Sequence, residues 1–167
     1  MPILVSLSGL PGVGKTTIAR LVVPKLNAVY LRVDTMEQAL RDEGMDEESI
    51  GGKAYVIGYR LATENLLLGQ NVVSDCVNPW GLTRDAWRES AEIAGAECLE
   101  VEVTCRDEAE HRRRIESRGD VFPGWAYVVS RDYRAWVTPT LQLDTADLSP
   151  GEAADSIMAE VHKLLNP

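Results

Sequence analysis

The sequence predicts an α/β fold built on a five-stranded parallel, doubly wound sheet with helices on both faces. Three observations carry the prediction. Short β-branched runs alternate with segments of helical pattern along the chain, as strand–helix crossovers in a parallel sheet require. The first run, Ile3 to Ser8, is short and mainly apolar with Val and Ile, as suits a strand covered on both faces. It ends in a glycine-rich turn that leads directly into a helical segment.

The elements follow in order. After Ile3 to Ser8, ended by Gly9, a helix is expected from Thr16 to Leu26. "VYLRV", Val29 to Val33, is β-branched and stops at Asp34, and "TMEQALRDEG" after it has a helical pattern that closes at Gly44. A long helix is expected from about Ala54 to Leu68, closed by Gly69, and then "NVVSDC" forms a strand whose carboxyl end carries Asp75. "NPWGLTRDAWRESAEIAG" supplies a turn and a helix, and "CLEVEVTC" alternates as a strand does. "DEAEHRRRIESRG" is a helix, "TLQLDT" the fifth strand and "LSPGEAADSIMAEVHKLL" the last helix. In such a sheet ligands bind at the carboxyl ends of the strands, where the residues discussed below fall.

Composition narrows the function classes. A chain of 167 residues is one ordinary domain, 1–167, and 45% hydrophobic with 26% charged residues is a globular balance. The formal charge of -9 repels phosphate backbones and anionic lipid, so neither nucleic acid nor a membrane is the expected partner. Cys76, Cys98 and Cys105 lack metal-ligand spacing, and His111 and His162 lie far apart, so the thiols are expected as small core residues. The N-terminal run has no basic n-region and is short for a signal peptide, so a cytoplasmic protein is expected, with monomer and homodimer both open.

Gly9-Leu10-Pro11-Gly12-Val13-Gly14-Lys15-Thr16 matches G-x-x-x-x-G-K-[ST] between a predicted strand and a predicted helix, the context that motif needs. The glycines let successive backbone N–H groups line one concavity and let phosphate oxygens approach the chain, while the helix start adds its positive dipole end. Gly9 to Thr17 are therefore the expected nucleotide-binding residues. Lys15, read as exposed on the loop, reaches the β- and γ-phosphates, and the Thr16 hydroxyl ligates Mg²⁺. A plain strand-to-helix turn is the alternative. The motif resembles the P-loop nucleoside-triphosphate fold. The guanine signature N-K-x-D is missing, and "NVVSDC" has one acid where motor ATPases carry a pair.

Asp34, at the end of the second strand, faces the expected γ-phosphate. It either accepts the proton of an attacking hydroxyl, helps hold Mg²⁺ through water, or caps the following helix. From here the chain resembles the small P-loop kinases, the group of shikimate kinase, gluconate kinase, adenylylsulfate kinase and chloramphenicol phosphotransferase. The V-D-x-x-x-x-A pattern of Val33 to Ala39 is most similar to the last, which implies that Asp34 is the base. The same resemblance implies that Asp75 and Asn78 in "VVSDCVNPWGLTRDAW" lie beside the acceptor, against a bland reading as a strand end with an Asn-Pro turn. Arg114-Ile-Glu-Ser-Arg118 is similar to the R-x-x-x-R of kinase lids, which implies Arg114 on the nucleotide base, Arg118 on the phosphates, and Arg131 and Arg134 as further cations of a short helical lid over about residues 112–136. On one helix the two guanidiniums would share a face; a solvated basic face paired with Asp107, Glu108 and Glu110 is the alternative. The loop from Thr145 to Asp147 falls near the base by the same resemblance.

Departures bear on the substrate. Where nucleoside-monophosphate kinases place an arginine three residues after an acid, this chain has Glu37, with Arg41 a turn further on. That favours a neutral hydroxyl acceptor, although Arg41, Arg60 and Arg84 are available for an anion site. Lys53, Tyr55 and Tyr59 fall where the group binds acceptors, and Trp80, Trp87, Trp125 and Trp136 read as packing residues. The expectation is an ATP- and Mg²⁺-dependent phosphotransferase acting on a small-molecule hydroxyl. Catalysis would rest on Lys15, Asp34 and Arg118, with substrate contacts from Asp34, Arg41, Asp75, Asn78 and Arg84. The alternatives are a nucleoside-monophosphate kinase and an ATP-dependent switch.

Overall fold

The computed structural model describes residues 1–119, 124–136 and 141–166. The elements run β1 Ile3–Ser8, α1 Lys15–Leu26, β2 Ala28–Arg32, α2 Val33–Asp42, α3 Glu47–Ile50, α4 Lys53–Leu67, β3 Asn71–Asp75, α5 Gly81–Ile93, β4 Glu97–Thr104, α6 Glu108–Glu116, α7 Trp125–Ser130, β5 Leu141–Asp144 and α8 Pro150–Leu165. The five strands are all parallel, in the order β2-β3-β1-β4-β5. The apolar first run therefore becomes the central strand, buried along its whole length.

Strand alternation assigns β1 to two cores. Ile3, Val5 and Leu7 pack with Ile18 and Val22 of α1 and with Ala154, Ile157 and Val161 of α8. Leu4, on the opposite face, joins Ala62 and Leu66 of α4 and Trp87 of α5. Ser6 and Ser8, also on that second face, are satisfied by Ser74 Oγ and Asn78 Nδ2. Ser149 and Glu152 form a reciprocal capping box at the start of α8, which also has proline in its first turn.

Several expectations need correction. β2 stops at Arg32, so Val33 and Asp34 open α2 rather than ending a strand. Helix α6 stops at Glu116, so Arg118 lies beyond it and does not share its face with Arg114. The short helices α3 and α7 were not foreseen. On β4 the polar alternates Glu100 and Glu102 are buried, satisfied by Arg88 and by Tyr133 and Gln142 respectively. Cys76 and Cys105 are buried free thiols, and Cys98 is half-buried. Among the described residues no helix is long and apolar enough to cross a membrane. Of the expected lid, residues 120–123 lie outside the described residues, as does Thr140 of "TLQLDT".

Candidate active site

The turn between β1 and α1 wraps against the carboxyl ends of β3 and β4. Gly9 N donates to Val77 O, and a Cβ at Gly9 would lie 2.2 Å from Val103 O, so no other residue fits there. Gly14, at φ 102°, is the N-cap of α1, whose first amides have no carbonyl partner within the helix. A cradle that side chains would fill, followed by free helix amides, fits a polyphosphate.

Lys15 is the first residue of α1 and only 8% exposed, not on an exposed loop. Its Nζ donates to Gly9 O at 2.8 Å and Leu10 O at 2.9 Å, folding the ammonium onto the turn. Burial pushes its pKa down, and the charges of Asp75 and Asp34 pull it back up. Thr16 Oγ1 donates to Asp75 Oδ2 at 2.7 Å, and Tyr30 Oη donates to the same oxygen at 2.7 Å. Asp75 is 3% exposed, stands beside Thr16 and lines the same cleft as Asp34. A hydroxyl and a carboxylate are the hard oxygen donors that Mg²⁺ takes, with phosphate and water completing its shell. The residues therefore fit the cation, and Thr16 and Asp75 would hold it.

One cleft of ≈ 1240 Å³ joins this turn to α2. Asp34 lines it, exposed, with Oδ2 accepting from Arg32 Nη2 at 3.0 Å. It lies inside the first turn of α2, and the N-cap residue is Arg32, so Asp34 is not the cap. Glu37, one turn on, also lines the cleft; burial and the Asp34 charge hold its carboxyl above the usual range. Arg41 stands at the outer end, paired with Glu47 and, at 3.4 Å, with Glu37. Tyr55, Tyr127, Arg118 and Arg131 close the other side.

Two expected acceptor contacts are not in the cleft. Asn78 is fully buried at φ 52°, its Nδ2 on Ser8 Oγ and its backbone N–H on Tyr55 Oη. Arg84 is 5% exposed: Nε donates to Asn78 O, Nη2 to Arg134 O and Pro79 O, and Nη1 to Ala135 O, while the guanidinium lies 4.2 Å from the Trp136 ring centroid. The Arg84 guanidinium is taken up in fastening loops, whereas Asn78 Oδ1 is buried without a hydrogen-bond partner. Arg60 is exposed on α4, Lys53 bonds Ser49 O, and Tyr59 sits edge-on to Trp87 at 4.8 Å. Trp87 is core, Trp125 packs on His111, and Trp80, 43% exposed, donates to Asp132.

A second cavity of ≈ 410 Å³ opens on the far side of the turn. Arg114 borders it with Nη1 on Thr145 Oγ1 at 2.8 Å, Nη2 on Thr145 O at 2.9 Å and Nε on Glu110 Oε1 at 2.7 Å. The guanidinium plane is thereby held rigid beside Thr17, Leu148 and Pro150. Arg118 borders both cavities. The β2 residues Tyr30 and Arg32 were missed; "YLR" carries no motif, and only strand pairing brings them to Asp75.

Residues 4–123 match the AAA domain family. The chain belongs to that family. No curated protein matches it. Among solved structures it is similar to the adenylylsulfate kinase CysC of Mycobacterium tuberculosis, in complex with AMPPNP and adenylylsulfate, at 22% identity and TM-score 0.70, covering 96% of this chain and 98% of that one. It is also similar to a gluconokinase of Sinorhizobium meliloti 1021, at 20% identity and TM-score 0.66, covering 98% and 93%. A sugar kinase of Janibacter sp. HTCC2649 aligns at 17% identity and TM-score 0.71, covering 97% and 95%. This AAA-domain chain has the fold that these small P-loop kinases have, as the resemblance implied.

Proposed function

We propose that the protein is an ATP- and Mg²⁺-dependent phosphotransferase acting on a hydroxyl of a small molecule. The observation that carries the reading is the placement of Asp34, an accessible carboxylate on the same cleft as Lys15, Thr16 and Asp75. A polyphosphate seated on the α1 amides draws Lys15 Nζ from the Gly9 and Leu10 carbonyls onto its oxygens. Mg²⁺, when bound at Thr16 and Asp75, neutralises phosphate charge. Arg118, reaching both cavities, adds positive charge over the triphosphate, and the rigid Arg114 plane offers a stacking surface for the base. Asp34 orients the acceptor hydroxyl and takes its proton as the O–P bond forms, with ADP leaving.

The arginines support a hydroxyl acceptor over a phosphate one. Arg84 is spent on backbone carbonyls, and Arg41 is already paired with two carboxylates. The carboxylates of Asp34 and Glu37 side by side on this half of the cleft further disfavour a dianion there.

The acceptor is found by thermal shift across sugars, nucleosides, nucleotides and hydroxylated antibiotics, each with Mg²⁺ and a non-hydrolysable ATP analogue, since a ligand of the native state raises the melting point by mass action. On that acceptor Asp34→Asn lowers kcat by roughly 10²–10⁴-fold with nucleotide affinity unchanged. An Asp34→Asn protein with wild-type kcat would remove Asp34 as base.

A further inference from the structure

Thr16 and Asp75 do not meet in isolation. Tyr30 and Arg32 are two residues apart on β2, so their side chains leave the same face of the strand. The register that pairs Arg32 with Asp75 sets that face against the end of β3. Tyr30 Oη and Thr16 Oγ1 both donate to Asp75 Oδ2, each at 2.7 Å, and Arg32 Nε lies 3.9 Å from the same oxygen. Arg32 Nε is buried with no hydrogen-bond partner, while its Nη2 is engaged by Asp34. Among the described residues every donor to Asp75 therefore converges on Oδ2, and Asp75 lines the cleft with Oδ1 left over.

We propose that Tyr30 is a positioning residue for the divalent-cation site at Thr16 and Asp75, an inference that rests on the nucleotide–metal reading above. A carboxylate held only by Thr16, a residue that must also turn a lone pair to the cation, is free to rotate about its Cβ–Cγ bond. The second donor removes that freedom. With Oδ2 occupied from two directions, Oδ1 and the Thr16 lone pair face the cleft together. Tyr30 touches neither nucleotide nor acceptor in this arrangement and acts only through Asp75, as outer partners of metal ligands do.

The test is Mn²⁺ binding, followed by electron paramagnetic resonance in the presence of a non-hydrolysable ATP analogue, so that no phosphate transfer enters the readout. The proteins are wild type, Tyr30→Phe, Asp75→Asn and the double variant. Tyr30→Phe keeps the ring that packs against the α1–α8 core and removes only the hydroxyl. Mn²⁺ affinity falls by roughly 10-fold in Tyr30→Phe, while affinity for the analogue in EDTA stays at the wild-type value. The double variant binds Mn²⁺ no more weakly than Asp75→Asn alone, because two residues acting as a unit do not add. Wild-type Mn²⁺ affinity in Tyr30→Phe overturns the proposal, and so do losses that multiply in the double variant, since a general effect on folding would produce those. If the wild-type protein binds Mn²⁺ no better with the analogue than without it, the nucleotide–metal reading itself falls.

Discussion

Replacing Arg84 by methionine separates the two roles available to a buried arginine near a cleft. The guanidinium makes two well-formed bonds to backbone, at 3.1 Å to Asn78 O and 2.6 Å to Arg134 O, and two long ones at 3.3 and 3.4 Å to Pro79 O and Ala135 O. Bonds from a charged donor contribute about 1.5–3 kcal/mol each, and the stack on Trp136 about 1 kcal/mol more. Methionine retains part of that stack and spares the cost of holding a charge out of water, which offsets some of the loss. The net destabilisation expected is about 3 kcal/mol, and for a chain of this length it lowers the melting temperature by about 6–12 °C. The assay is calorimetric melting of the two proteins without nucleotide, alongside titration with the ATP analogue. Nucleotide affinity stays within a factor of about three in Arg84→Met, because Arg84 borders neither cavity. A melting point within about 2 °C of wild type, with phosphate transfer lost, would refute the reasoning and return Arg84 to the acceptor site.

Two further variants probe the phosphate side. Gly9→Ala forces a Cβ to within 2.2 Å of Val103 O, so the turn must move off β4; nucleotide affinity measured by calorimetry falls at least about 10-fold, and unchanged affinity would mean the cradle is not used. Arg118→Ala lowers kcat more than it raises the KM for ATP, because a cation reaching over the triphosphate matters most as charge develops; steady-state kinetics showing the reverse order would assign Arg118 to ground-state binding.

What the sequence revealed depended on whether the deciding contact is local. The glycine turn, Lys15 and Thr16 were legible because the motif is itself a backbone conformation, complete within residues 9–16. Asp34 lines the cleft although it opens α2 instead of ending β2, since the last residue of a strand and the first turn of the next helix occupy the same end of the sheet. Arg84 was misread because its burial depends on carbonyls 50 and 51 residues away, on a segment with no periodic signal. Arg118 was credited with a helical face that ends two residues earlier, at Glu116. The partners of Asp75 were not legible because they follow from the strand order: β3 lies between β2 and β1, so its carboxylate meets Tyr30 from one neighbour and Thr16 beyond the other.

The central position of β1 also governs when the chain can acquire its structure. Leu4 is flanked by Val72 on one side and Cys98 on the other, so the strand that leaves the ribosome before the other four waits for both of its neighbours. At elongation rates of roughly 5–20 residues per second, the interval before β4 follows it out is about 5–20 s, during which a mainly apolar strand has no native partner on one edge or both. Nascent chains of this protein are accordingly expected to engage holding chaperones through residues 3–8, and truncation ahead of β4 should give aggregates rather than a smaller folded unit.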